Sequence, residues 1–153
     1  MLNHRQIGKL SAVLAFGVLA GCNNERAPSS GASNAPVAPS TTAAPSGPQT
    51  PDPGGKIIAV ELYTDGDGNY FKPADVTAKK GDVIRYTLKV GVHNVHFLPD
   101  SNAGKSGYPQ SPSDFLQLPG QTYDVKVTFP QGKYYFQCDP HAALGMKGHL
   151  TVE

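Results

Sequence analysis

Short runs of alternating apolar and polar residues occupy most of the chain after residue 55. The runs are rich in Val, Ile, Thr, Tyr and Phe, and turn-forming clusters such as 65–68 and 130–132 separate them, as expected of β-strands joined by turns. The predicted strands are residues 56–63, 75–77, 82–89, 93–98, 123–129, 132–138 and 147–152. No window of helical length after residue 22 repeats apolar residues with a period of 3.6. We therefore expect an all-β domain, either a sandwich or a small barrel.

Alternation also predicts which side chains face the core. Tyr134, Phe136 and Cys138 lie at every second position of one predicted strand, so we expect all three to point inward. Residues 99–118 alternate little and contain several prolines. We expect that segment to be irregular, with a helical turn near residues 113–115.

Residues 1–22 have the composition of a targeting segment. A basic start precedes a short apolar stretch at 10–20, and residues 19–22 read Leu-Ala-Gly-Cys. That ending resembles a bacterial lipobox, which implies cleavage before Cys22 and attachment of lipid to this cysteine. An apolar stretch of this length is too short to span a bilayer. The alternative is a disulfide between Cys22 and Cys138, the two cysteines of the chain.

Residues 23–54 are predicted to be a disordered linker rich in Pro, Ser and Ala. They contain seven of the 14 prolines and no aromatic residue, so they cannot bury enough apolar surface to offset the entropy of ordering. A folded domain is predicted to follow at residues 55–153. Acidic and basic residues balance within this domain, and no basic patch indicates nucleic acid as a partner.

Side chains that bind metals cluster near the carboxyl terminus. Cys138, His141 and Met146 form a Cys-x-x-His-x4-Met pattern, and His93 is a candidate second imidazole upstream. One thiolate, two imidazoles and a thioether suit a single copper ion that alternates between Cu(I) and Cu(II), because soft sulfur favours the reduced ion and imidazole serves both. Zinc normally takes four strong ligands or keeps an open position, and a methionine in the fourth place fits neither arrangement.

His96 is the alternative to His93 within the same segment. Residues three apart on a strand face opposite sides, so the two imidazoles cannot reach the same ion. We interpret His96 as a structural or surface residue and His149 as an outward-facing residue of the last strand. A lone Cys or Met is more often a core residue than a ligand, but the joint spacing of Cys138 and Met146 with a histidine favours a metal site.

Two segments resemble the copper-binding motifs of the plastocyanin-like cupredoxins. They are residues 92–97, Val-His-Asn-Val-His-Phe, and residues 132–148, which contain Cys-Asp-Pro-His and the following Met. The His-Asn-Val-His-Phe order also resembles amicyanin-like relatives, in which only the first His is a ligand. The resemblance implies a Greek-key β-sandwich of about seven to eight strands with a type 1, or blue-copper, centre. It implies copper ligation by His93, Cys138, His141 and Met146. It also implies that Asn94 joins the two ligand-bearing loops by hydrogen bonds.

The resemblance further implies an electron-transfer protein and not an enzyme. We expect a monomeric one-electron carrier in a bacterial cell envelope, anchored through Cys22 and facing the periplasm or the cell exterior. Its expected partners are redox proteins such as a c-type cytochrome or an oxidoreductase. Gln137 stands where plant plastocyanins have a Tyr that serves a remote docking route, so electron exchange is expected through His141. The alternative function is copper storage or delivery without redox turnover.

Overall fold

The structure is a computed structural model that describes residues 47–153. The predicted signal segment, Cys22 and the linker up to residue 46 lie outside the described residues. Among the residues that are described, no helix is both long enough and apolar enough to cross a membrane.

Seven strands form two sheets within residues 47–153, which confirms the predicted all-β sandwich. The strands are β1 (Ile57–Asp65), β2 (Gly68–Lys72), β3 (Asp75–Ala78), β4 (Val83–Leu88), β5 (Thr122–Lys126), β6 (Gly132–Gln137) and β7 (Lys147–Val152). One sheet has the order β2-β1-β4-β5 and the other the order β3-β7-β6. Strands β1 and β4 pair in parallel, as do β3 and β7, whereas the remaining pairs are antiparallel. Two short 3-10 helices, Asp100–Asn102 and Asp139–Leu144, lie in the connections.

The core lies between the sheets and is built by the alternation that the sequence predicts. Tyr134 and Phe136 of β6 are buried, and Cys138 directly after the strand is also buried. Phe136 packs edge-on against Phe71 at 5.0 Å and against Tyr86 at 5.4 Å between ring centroids. These aromatic rings join the two sheets below the end at which Cys138 lies.

The predicted strand at residues 93–98 is wrong. The segment makes two isolated bridges instead, from His93 to Leu116 and from His96 to Gln137. The segment follows β4 of one sheet, and its His96 pairs with Gln137 of β6 in the other sheet. It therefore crosses between the sheets and does not extend a single ladder. This crossing brings the loop after β4 to the end of β6.

Two other local expectations also differ from the structure. Strand β2 was not predicted, although its antiparallel pairing with β1 makes a hairpin across the turn at residues 66–67. The helical turn expected near residues 113–115 is absent from the described residues. Ser113 instead pairs with Val95, whose N–H donates to the Ser113 hydroxyl at 2.9 Å and whose carbonyl accepts the Ser113 N–H.

The last residues of the predicted linker make contacts with the sheet that contains β5. The N–H of Gln49 donates to the Asp124 carboxylate at 2.7 Å, and its side-chain amide donates to the Asp124 carbonyl at 2.8 Å. Asp52 forms an ion pair with Lys126 at 2.6 Å. The hydrogen-bonded domain therefore begins earlier than the predicted boundary at residue 55, and these contacts lie along an edge strand.

Candidate metal centre

Three potential metal ligands converge at one end of the sandwich. The Nδ1 atoms of His93 and His141 are 3.1 Å apart. The sulfur of Cys138 lies 3.6 Å from Nδ1 of His93 and 3.3 Å from Nδ1 of His141. Three donor atoms thus surround one small volume, and among residues 47–153 no other group of three or more His, Cys, Asp or Glu side chains is arranged to hold a metal.

The connection between β6 and β7 supplies most of this cluster. Cys138 immediately follows β6, and His141 belongs to the 3-10 helix that comes next. Gly145 ends that helix with φ of 95°, a left-handed conformation that glycine adopts without strain. Met146 then lies just before β7, where it is fully buried and close to the other three side chains.

Backbone hydrogen bonds hold the same connection in shape. The N–H of Met146 donates to the His141 carbonyl at 3.1 Å, and the N–H of Cys138 donates to the Met146 carbonyl at 3.2 Å. The N–H of His141 donates to the Cys138 carbonyl at 3.0 Å. The spacing of the three residues is therefore set by the chain and not by a metal.

His93 is fully buried and presents only one nitrogen to the cluster. Its Nε2 faces the opposite way and lies 3.1 Å from the Val90 carbonyl oxygen. A carbonyl can only accept, so Nε2 carries the hydrogen and Nδ1 keeps its lone pair for a metal. Burial lowers the pKa of His93 below its ordinary value, which favours the neutral imidazole that metals bind.

Cys138 is also fully buried, and burial raises the pKa of its thiol. Backbone N–H groups of Asn94 and His141 act against that shift. A thiol that keeps its proton in the metal-free protein must release it to become the thiolate ligand. Metal binding at this site is therefore coupled to the loss of one proton.

Asn94 joins the segment that contains His93 to the segment that contains Cys138. Its side-chain amide donates to the Asp139 carboxylate at 2.9 Å, and its carbonyl oxygen accepts the Asp139 N–H at 2.8 Å. The paired hydrogen bonds connect the residue after His93 to the residue after Cys138. They fix the separation of the two loops.

Asp139 is a part of the site that the sequence did not single out. Burial alone would raise the pKa of Asp139, but hydrogen bonds from Gln137, Asn94 and His96 outweigh it and hold the pKa below its usual range. Nδ1 of His96 lies 3.0 Å from the carboxylate. His96 is thus a structural residue outside the cluster. Its contact with Asp139 holds it there, and the predicted strand at residues 93–98 plays no part.

The remaining histidine of the folded domain, His149, lies where it cannot join the cluster. His149 is on β7, where its Nδ1 lies 2.9 Å from the Asp75 carboxylate on the outer face.

Thr64 is not marked by the sequence pattern, yet its hydroxyl contacts the buried imidazole of His93 at 3.1 Å. No motif marks such a threonine, because its role depends on the pairing of β1 with β4.

The donor set fits copper better than other common metals. Two imidazole nitrogens, one thiol and a nearby thioether combine soft and intermediate ligands, which suits an ion that alternates between Cu(I) and Cu(II). The three close donors come from chain segments that other hydrogen bonds already hold in place. The side chains present therefore match the cofactor that the sequence predicts.

Comparison with known families assigns the chain to a class. A model of copper binding proteins of the plastocyanin/azurin family matches residues 58–153. The chain belongs to the plastocyanin/azurin family of copper-binding proteins, and the predicted copper cofactor is confirmed.

Plastocyanins are among its similar relatives. The chain is 38% identical over 104 residues to a chloroplastic plastocyanin of Oryza sativa subsp. indica, with 64% of this chain and 66% of that protein covered. It is 38% identical over 95 residues to plastocyanin A/B of Petroselinum crispum, with 61% of this chain and 97% of that protein covered. The chain thus spans slightly less than two thirds of the rice protein and almost all of the parsley protein.

Solved structures agree with this assignment. Oxidized plastocyanin from Dryopteris crassirhizoma superposes with a TM-score of 0.51 at 31% identity, covering 63% of this chain and 100% of the fern protein. A reduced amicyanin variant superposes with a TM-score of 0.50 at 24% identity, covering 63% of this chain and 82% of that chain, which shows a shared fold.

Proposed function

We propose that the protein is a blue-copper carrier that transfers one electron at a time by cycling between Cu(I) and Cu(II). The observation that carries this proposal is the cluster itself: His93, Cys138 and His141 converge with their donor atoms 3.1 to 3.6 Å apart. When bound, copper supplies the one-electron chemistry. Because the chain holds the ligands through its own hydrogen bonds, the site changes little in shape between oxidation states.

The surroundings of the cluster favour a carrier over an enzyme. Cys138 and Met146 are fully buried, as is His93, so three sides of the site are closed to substrates. The neighbouring carboxylate of Asp139 is occupied by hydrogen bonds from Asn94 and two other side chains. It is therefore not available as a general acid or base.

An apolar surface beside His141 supports docking of a redox partner. His141 is partly exposed, and Leu144 lies three residues later in the same 3-10 helix, where residues three apart share a face. The Leu144 side chain is 68% exposed. Val92 and Leu118 are also exposed and flank the segments that pair His93 with Leu116 at this end. An apolar surface around one imidazole suits weak, rapidly released complexes.

The cellular setting is proposed from the sequence. The Leu-Ala-Gly-Cys ending supports a lipid anchor at Cys22, with the following linker tethering a monomeric domain to a membrane of the cell envelope, on the periplasmic or external side. Soluble or membrane-bound redox proteins, such as a c-type cytochrome or an oxidoreductase, would then be within reach. Replacing Cys22 with Ala should move the full-length protein from the membrane fraction to the soluble fraction without changing its copper spectrum. Retention of the variant in membranes would contradict the anchor.

A redox titration of the copper-loaded full-length protein tests the proposed function. We expect reversible uptake of one electron per copper, with the ion retained in both states against a mild chelator. Met146→Leu should keep copper bound but shift the reduction potential, because a thioether favours Cu(I) and leucine supplies no ligand. Copper that is lost to the chelator and shows no reversible reduction would favour storage or delivery instead.

A further inference from the structure

The imidazole of His93 is held from behind by residues that supply no metal ligand. Its Nε2 lies 3.1 Å from the Thr64 hydroxyl oxygen and 3.1 Å from the Val90 carbonyl oxygen. Thr64 lies near the end of β1, and Val90 lies just after β4, the strand that pairs with β1 in parallel. The backbone N–H of Thr64 also donates to the Val90 carbonyl at 3.0 Å. Thr64, Val90 and His93 therefore form a closed set of hydrogen bonds.

The direction of these hydrogen bonds follows from the groups involved. The hydroxyl of Thr64 donates to the side-chain carbonyl oxygen of Asn69 at 2.6 Å, across the β1–β2 hairpin. With its hydrogen committed to Asn69, the hydroxyl offers only lone pairs to His93. The Nε2 hydrogen of His93 is thus shared between two acceptors, the Thr64 hydroxyl and the Val90 carbonyl. Nδ1 is left unprotonated on the side of Cys138.

The backbone of Gly91 packs closely against the contact between Thr64 and His93. A Cβ atom at Gly91 would lie 2.5 Å from the Thr64 hydroxyl oxygen and 2.7 Å from Nε2 of His93. The residue also has φ of 101°, which side chains rarely adopt. No side chain fits at this position, so the backbone of Gly91 packs directly against the Thr64 hydroxyl and the His93 ring.

We propose that Thr64, with its hydroxyl oriented by Asn69, is a positioning residue that holds the His93 ring as a further acceptor of its Nε2 hydrogen beside the Val90 carbonyl, and so tunes the relative affinity of the site for Cu(II) and Cu(I). The inference rests on the proposed one-electron function. An imidazole whose N–H donates to two acceptors has a more basic opposite nitrogen. A more basic nitrogen favours Cu(II) over the softer Cu(I). Loss of the Thr64 hydroxyl should therefore raise the reduction potential.

The first test compares reduction potentials of full-length variants. Thr64→Val removes the hydroxyl but keeps the shape of the side chain, and Thr64→Ser keeps the hydroxyl. Thr77→Val makes the same chemical change at an exposed position of β3 and serves as the matched control. We expect Thr64→Val to lower the ratio of Cu(II) affinity to Cu(I) affinity about tenfold. This is the low end of the effects seen when a residue that hydrogen-bonds to a metal ligand is replaced. This corresponds to a rise of about 59 mV, whereas the other two variants should match the wild type.

The second test observes the Nε2 hydrogen of His93 directly. In the diamagnetic Cu(I) protein, nitrogen-detected NMR should show a slowly exchanging hydrogen on Nε2 of His93 and none on Nδ1. Faster exchange of that hydrogen is expected in Thr64→Val but not in Thr64→Ser. A hydrogen on Nδ1, or a potential of Thr64→Val equal to that of Thr77→Val, would overturn the inference. Absence of a reversible couple in the wild type would overturn the proposed function as well, while the difference in Nε2 hydrogen exchange between Thr64→Val and Thr64→Ser would still report the contact with Thr64.

Discussion

The two imidazoles of the copper cluster have opposite surroundings. His93 is fully buried, and its second nitrogen is held by Val90 and Thr64. His141 is partly exposed in a 3-10 helix whose last residue, Leu144, is 68% exposed. The same side-chain chemistry thus occurs once inside the fold and once at its surface.

His93 and His141 are therefore suited to different roles in the site. A buried imidazole with both nitrogens engaged cannot move without breaking hydrogen bonds, so His93 is suited to fixing the geometry and potential of copper. A surface imidazole in a short loop is suited to electron exchange, because a partner can approach its edge closely.

The largest effect is expected from removing each imidazole in turn. His141→Gly should leave a gap that opens to solvent, so added imidazole should enter it and restore the visible copper spectrum. His93→Gly should leave a gap inside the core, which added imidazole cannot reach. Titration of both variants with imidazole, followed by absorption spectroscopy, measures the difference.

If imidazole restored the copper spectrum of both variants equally, the two histidines would not differ in their access to solvent. Restoration of His93→Gly by imidazole would mean that this side of the site opens to solvent. Circular dichroism of both variants provides the control for folding, since a glycine in place of a buried side chain also removes packing.

A smaller effect is expected at the surface beside His141. Leu144→Lys places a positive charge on the apolar surface and should slow electron self-exchange between two copies at least tenfold, because like charges then meet in the encounter complex. The reduction potential should stay unchanged. Ile57→Lys is the matched control, since Ile57 is 46% exposed but begins β1 at the opposite end from the cluster.

Self-exchange is measured by NMR line broadening in mixtures of reduced and oxidised protein. A similar slowing in Ile57→Lys would show that net charge, and not the surface around His141, controls the rate. An unchanged rate in Leu144→Lys would show that electrons leave by another route.

The smallest effect on the site is expected from a change at the far end of the sandwich. Asp82 precedes β4 and accepts hydrogen bonds from the backbone N–H groups of Lys56 at 2.9 Å and Lys79 at 2.8 Å. Burial would raise the pKa of Asp82, but these hydrogen bonds outweigh it and hold the pKa below its usual value. Asp82→Asn should cost about 2 kcal/mol of stability at neutral pH and leave the copper spectrum unchanged.

The sign of the pH dependence follows from the lowered pKa. The contribution of Asp82 is fully present above the pKa of an unfolded aspartic acid, near 4, and is lost as the pH falls through the lower folded value. The stability difference between wild type and Asp82→Asn should therefore shrink in acid. Urea unfolding at neutral and acidic pH measures it, and a difference that grows in acid would contradict the assignment.

The sequence predicted the strands that alternate regularly and the ligands that share a short motif. Cys138, His141 and Met146 could be grouped because one connection contains all three. The crossing segment that contains His93 was mistaken for a strand, because hydrophobic alternation does not reveal which partner each residue will pair with. Thr64 could not be predicted, since its contact with His93 exists only once the parallel pairing of β1 and β4 is known.

The visible absorption spectrum of the copper-loaded full-length protein tests the central claim most directly. One equivalent of Cu(II) should produce an intense blue band from charge transfer between the Cys138 thiolate and copper, and one electron per copper should bleach it. Cys138→Ser should lack the band even when copper is present. A pale wild-type protein, or a Cys138→Ser variant that remains intensely blue, would contradict the assignment of the site.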